Sequence, residues 1–353
     1  MPPKKKKGGG SVRRSSNKVD AERPPLSTRN KKSNIESTNK KERDEMGISC
    51  SRKKKKVKKE IPVVTPATTV HWEQGAVGAV EMWMRHYGNL TQEKIGEEFK
   101  NDVANYFAPS YTYNEFNRHL EMNRYHDVVC LDSTRVPLPE PQTYIHANWV
   151  ADPKLGERRF ILTQAPMENT IGDFWRMCYE HKVAAIVLLC GLKENDQILC
   201  TEFWPLKEND YKTFGGMFVK TMKMEETSDE QIFNIEVVPD GNSNSQEKST
   251  QKNARQILRL NKMLDSNSAI VAVDSAGIGR AAVLAAFDYT MGCLQQSKGE
   301  QVVMPEVVRW LRRQRASCFT NEEQYLFCIR ICAEYLHRSF GGKFDKEYKN
   351  ICP

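Results

Sequence analysis

The sequence predicts a layered α/β domain spanning residues 71–345, and three observations carry that prediction. Short apolar runs read as strands buried on both faces. Amphipathic stretches of helical period alternate with them, and no linker breaks the alternation. At 353 residues the chain is long enough to bury a sizeable core. In order, a helix is expected over 75–87, with Val77, Val80, Trp83 and Met84 on one side. Strands are expected at 160–162, 184–190, 232–238 and 269–273, with a helix at 254–264 between the last two. Another helix opens at Pro305, a residue suited to a first turn, and runs to about 313. The last spans 322–337 and sets Leu326, Ile329, Cys332, Ala333 and Leu336 on one face.

The charge is unevenly placed. The first 60 residues hold 21 Lys and Arg against 7 Asp and Glu, while the remaining residues hold 32 against 38. Residues 1–70 are poor in aromatics and rich in Lys, Arg, Ser, Asn, Gly and Pro, the composition of a disordered basic tail. Its clusters at 4–7 and 52–59 leave three readings open: a solvated tail, a nuclear import signal, or an anionic partner such as nucleic acid or a membrane surface. Ser15 and Ser16 follow Arg13 and Arg14, a pattern that basophilic kinases favour, and phosphate there is expected to weaken whatever the tail binds.

No transmembrane segment is expected, because the longest apolar run, near 183–192, is about half the length a bilayer demands. Pro2 excludes myristoylation, and no signal peptide is visible at the start. The ten cysteines form no CxxC pair and no framework spacing, which fits free thiols in a reducing, intracellular setting, cytoplasmic or nuclear. No metal set and no cofactor is expected.

The segment 269–287, AIVAVDSAGIGRAAVLAAF, carries the chemistry. A strand, a glycine-bearing turn and a helix in succession aim several backbone N–H groups and the positive end of a helix dipole at one spot. Gly277 and Gly279 let the backbone curl, and Arg280 offers a planar fork for two phosphate oxygens. Small residues between a strand and a helix also serve tight packing. A Walker loop is excluded by the lack of Gly-Lys-Ser/Thr.

Residues 275–280, SAGIGR, resemble the phosphate-binding loop HCSAGIGRTG of the cysteine-dependent protein tyrosine phosphatases. Further segments resemble that family in its order: NRYHDV at 123–128, YIHANWV at 144–150, FILTQAPMENTIGDFWRM at 160–177, ENDQILCTEFWP at 194–205 and RASCFTNEEQY at 315–325. The resemblance implies a protein tyrosine phosphatase-like fold, a central twisted mixed β-sheet flanked by helices on both faces. It also implies that Ser275, Ala276, Gly277, Ile278, Gly279 and Arg280 bind phosphate. By the same resemblance Tyr125 and Asp127 recognise phosphotyrosine and its peptide backbone, and Thr320 and Gln324 stand in the family's Q-loop.

The departures fall on sulfur chemistry. Asp274 stands where the family has its nucleophilic cysteine, Val273 replaces the preceding histidine, and Ala281 replaces the hydroxyl that assists the sulfur. The Trp-Pro-Asp acid loop is missing; Val238-Pro239-Asp240 mimics it, but Asp240 reads as a turn residue. The longer Asp274 side chain is expected to enter the amide cradle and pair with Arg280, giving a weakened or self-occupied pocket; a pocket that retains phosphotyrosine binding is the alternative. These departures lead to the expectation that the chain is not an enzyme but an inactive family member, a pseudophosphatase that binds or scaffolds phosphotyrosine proteins or kinases. The alternatives are residual or unconventional phosphatase activity, and association of the tail with nucleic acid or a membrane surface.

Overall fold

Ten strands and eight α-helices follow one another along the described chain, in a computed structural model that describes residues 72–109, 111–151, 158–227, 230–240, 254–255 and 269–353. All of these belong to one compact unit. The basic tail, with Ser15 and Ser16, lies outside the described residues. The helices are α1 Gln74–Gly88, α2 Gln92–Glu98, α3 Asn114–Arg118, α4 Ile171–Glu180, α5 Arg280–Gln295, α6 Met304–Arg312, α7 Glu322–Ser339 and α8 Asp345–Ile351. The strands are β1 Ala147–Ala151, β2 Arg158–Gln164, β3 Ala185–Leu188, β4 Lys193–Glu194, β5 Gln197–Ile198, β6 Tyr211–Phe214, β7 Met217–Glu226, β8 Gln231–Pro239, β9 Ala254–Arg255 and β10 Ile270–Asp274.

Eight strands form one mixed sheet in the order β1-β2-β10-β3-β9-β8-β7-β6. Its centre, β2-β10-β3-β9, is parallel, and both flanks are antiparallel. Period-two alternation splits the core between its faces. Phe160, Leu162, Ile270 and Ala272 face one layer, where α1, α5, α6 and α7 pack. Ile161, Val271 and Val273 face the other, against α4 and its Phe174 and Trp175. Because the central strands are buried on both sides, they read in the sequence as unbroken apolar runs. At the start of α7 the Asn321 side chain accepts from the Gln324 N–H at 2.9 Å, and Glu322 and Glu323 sit in the first turn.

One expected element differs. Ala254–Arg255, placed by periodicity at the start of a helix, is a strand wedged between β3 and β8, with Ala254 opposite both Ile186 and Phe233. Ladder hydrogen bonds from two neighbours override local helical preference there. The rest of that expected helix, 256–264, lies outside the described residues.

Helix α4 is locked to the hairpin of β6 and β7 by contact between two glycines. A Cβ on Gly172 would lie 2.7 Å from the Gly215 Cα and 3.1 Å from its nitrogen, and Gly215 itself has φ +53°. Gly172→Val therefore forces two backbones apart and should destabilise the domain by about 1–3 kcal/mol, read as a lower urea midpoint. An unchanged midpoint would show that this contact does not fix α4.

Candidate phosphate-binding site

Strand β10 ends mid-sheet at Asp274, between β2 and β3, and α5 begins six residues later at Arg280. The crevice beyond the carboxyl ends of parallel strands is where α/β sheets bind ligands. Gly277 makes the turn at φ +71°, and a Cβ there would lie 2.4 Å from the Thr163 carbonyl carbon. No other residue fits.

The loop's carbonyls are bound on its outer side. The Ala276 and Gly277 carbonyls accept from the Arg315 guanidinium at 2.9 and 3.1 Å. The Ser275 carbonyl accepts from the Ala165 N–H, and that of Ile278 from the Phe319 N–H. With carbonyls turned out, the loop's N–H groups turn in.

They meet the Asp274 carboxylate, which is 4% exposed. Its Oδ1 accepts from the N–H groups of Ala276, at 3.0 Å, and Gly277. Its Oδ2 accepts from Gly279 at 3.1 Å and from Ala281, in the first turn of α5, at 2.8 Å. The carboxylate thus fills the cradle that the loop offers to an anion.

The expected pairing of Asp274 with Arg280 is corrected. Arg280 forms a two-pronged ion pair with Glu194 of β4, Nη1 to Oε1 at 2.7 Å and Nη2 to Oε2 at 3.2 Å. The pair holds the Glu194 carboxyl below its usual value, chiefly through the Arg280 hydrogen bond, helped by the Gly191 N–H. With Asp274 already saturated by four amides, the half-exposed fork gains more from Glu194.

The other expected residues converge on the loop to differing degrees. The Tyr125 hydroxyl lies 2.6 Å from the Ser275 Oγ, so the ring stands at the rim of the cradle. Asp127 is exposed two residues further on. Gln324 accepts from the Thr320 N–H at 2.9 Å, and its Nε2 lies against Gly279, where a Cβ would be 2.9 Å away. Asp240 lies in a turn beyond β8, its N–H donating to the Gly216 carbonyl at 2.7 Å. Residues 241–253 and 256–268 lie outside the described residues.

Sequence reasoning missed three residues here. Glu194, Arg315 and His146 lie within the segments 194–205, 315–325 and 144–150, and nothing in those segments marks them for a role. Arg315 is fully buried and, besides the two loop carbonyls, donates to Asn148 Oδ1 at 2.8 Å and reaches His146 Nδ1 at 3.1 Å. Since a guanidinium only donates, Nδ1 is the acceptor, and His146 Nε2–H donates to the Val128 carbonyl at 2.8 Å. Burial, with Arg315 beside it, pushes the His146 pKa down to about 3. An arginine of this kind has one signal in sequence, its place just before a short apolar turn, which a surface arginine shares.

The protein-tyrosine phosphatase family pattern matches residues 119–334, well over half of the chain. Tyrosine phosphatase H3 of Microplitis demolitor bracovirus is 32% identical over 282 residues, covering 66% of this chain and 87% of the viral protein. Human tyrosine-protein phosphatase non-receptor type 13 is 27% identical over 250 residues, 65% of this chain and 10% of that protein. Human tyrosine-protein phosphatase non-receptor type 9 is 31% identical over 253 residues, 62% of this chain and 42% of that protein. The fold and the loop define a protein tyrosine phosphatase domain. The chain belongs to the protein-tyrosine phosphatase family.

That membership corrects the expectation that the chain is not an enzyme, for the relatives it matches are named as tyrosine phosphatases. The expectation rested on Asp274 at the cysteine position and on the missing Trp-Pro-Asp loop. Among the described residues, no helix is long and apolar enough to cross a membrane.

Two outcomes follow from the buried bracing. Arg315→Met strips donors from two loop carbonyls and Asn148, and should cost on the order of 3 kcal/mol in urea unfolding. A loss below about 1 kcal/mol would show that the loop holds its shape unaided. His146 is neutral in both folded and unfolded chains above pH 6.5. Below that, the unfolded chain takes up a proton that the folded one resists, so stability falls with pH by up to about 1.4 kcal/mol per unit until near pH 3. Relative to His146→Asn, the wild-type chain should lose stability as pH drops from 6.5 to 5. Parallel pH profiles would contradict this.

Proposed function

We propose that this domain is a recognition and scaffold module for phosphotyrosine proteins or kinases, built on a phosphate loop that carries its own carboxylate. The observation that carries this reading is the Asp274 carboxylate seated on four amides of its own phosphate loop. An internal anion holds the loop in its anion-bound shape without a ligand; Tyr125, at Ser275, is the residue we assign to an aromatic ring, and the exposed Asp127 the one we assign to a peptide backbone. An incoming phosphate must displace or face that carboxylate. A dianion about 4 Å from it meets roughly 8 kcal/mol of repulsion at an effective dielectric of 20. The wild-type pocket is therefore a weak phosphate site, and partner contacts outside the cradle supply the affinity.

A second reading, phosphotyrosine hydrolysis by a route other than thiolate attack, is favoured by the names of the relatives. The basic tail adds an anionic partner, and the setting is inside the cell, in cytoplasm or nucleus. Calorimetry with a phosphotyrosine peptide tests the first reading. Asp274→Ala should bind at least about tenfold more tightly than the wild type, a gain of about 1.4 kcal/mol, and Arg280→Ala added to it should remove the gain. Equal affinity in wild type and Asp274→Ala would overturn the self-occupied pocket. Turnover of an aryl phosphate that vanishes in Asp274→Ala would favour the second reading.

A further inference from the structure

We propose that Cys190 and Cys200 form a reversible intramolecular disulfide, a modification site at the root of the hairpin that presents Glu194 to the phosphate loop. Formation of the bond does not depend on the proposed function; its effect on Arg280 does.

The hairpin brings the two residues together. Asn195 and Asp196 both have positive φ, +46° and +65°, the signature of a two-residue turn that fixes strand register. Glu194 pairs with Gln197 and Lys193 with Ile198, and the Leu192 carbonyl accepts from both the Leu199 and Cys200 N–H groups. The chain at Cys190 is thereby brought back beside Cys200, whose Sγ stands next to the Cys190 thiol and 3.3 Å from the Thr201 carbonyl. Both are free and buried.

Access and reactivity come from separate features. Cys190 stands in the wall of a cavity of about 250 Å³, lined also by Trp175, Leu188, Phe203 and Trp204. A water molecule claims about 30 Å³, so an oxidant as small as hydrogen peroxide fits. The Cys200 hydrogen bond, with Arg280 nearby, holds the Cys190 thiol below its usual value, while that same contact and burial raise Cys200. Cys190 is thus the thiolate that attacks first.

The oxidant is a peroxide. The Cys190 thiolate attacks one peroxide oxygen, the O–O bond breaks, and the departing hydroxide takes a proton to become water, leaving a sulfenic acid. Cys200 then attacks that sulfur and gives up its thiol proton. A second hydroxide leaves, as water, and the S–S bond closes. Two electrons pass from the two sulfurs to the peroxide, and a thiol reductant reverses the change.

A second thiol contact in the molecule serves as a control. Cys328 and Cys332 also meet, but one turn apart on α7 and fully buried. Side chains at that spacing hold their Cβ atoms about 5–6 Å apart, beyond the roughly 3.5–4.5 Å of a disulfide. Closing the Cys190–Cys200 bond draws in the segment whose Gly191 N–H and Glu194 carboxylate hold each other and Arg280.

The test uses the full chain, treated with hydrogen peroxide, alkylated in denaturant and digested with trypsin without reductant. Cleavage after Lys193 separates the two cysteines into peptides 183–193 and 194–207. Expected is a joined pair, two hydrogens lighter than its parts, which reductant separates, with Cys328 and Cys332 recovered alkylated. Recovery of Cys190 and Cys200 as separate alkylated peptides would overturn the proposal. So would Cys190 as a sulfinic acid beside an alkylated Cys200.

Discussion

Between the end of β10 and the first turn of α5, four backbone N–H groups point inward at a single carboxylate. A buried N–H without a partner costs about 1–3 kcal/mol, so a loop of this shape needs an anion, a polar ligand or water at its centre. Asp274 meets that need from within the chain. The rest of the site follows from it. The loop's carbonyls must face away from the carboxylate, and Arg315 and Phe319 collect them. Arg280 no longer finds a free anion in the cradle and turns to Glu194.

The substitution of an oxygen-tipped residue for sulfur is therefore both a change in chemistry and a structural element. In the family pattern the loop is shaped to receive phosphate oxygens. Here it is shaped around its own carboxylate, with the same strand, turn and helix producing the same convergence. The Tyr125 hydroxyl, held at the Ser275 Oγ, lies outside the set of N–H groups that Asp274 fills.

Much of this was legible in the sequence because the loop's geometry is local. Gly277 needs a positive φ whatever surrounds it, and the run from Ala269 to Arg280 sets strand, turn and helix by itself. The apolar runs of β2, β3 and β10 foretold central strands because burial on both faces leaves no room for polar residues. What could not be read depends on distant partners. Arg280 pairs across 86 positions with Glu194, and no spacing rule links the two. Arg315 looks like one more surface cation until its fork is seen behind the loop. The helix expected to begin at 254 gave way, over Ala254–Arg255, to a strand because β3 and β8 offered ladder bonds on both sides.

Amide hydrogen exchange on the ligand-free chain tests the occupied cradle most directly. The N–H groups of Ala276, Gly277, Gly279 and Ala281 should be protected in the wild type without any phosphate. In Asp274→Ala they should exchange at least about tenfold faster, with protection regained when inorganic phosphate is added. Equal exchange at all four positions in the two proteins would mean that the carboxylate does not hold the loop, and the account of the site would fall with it.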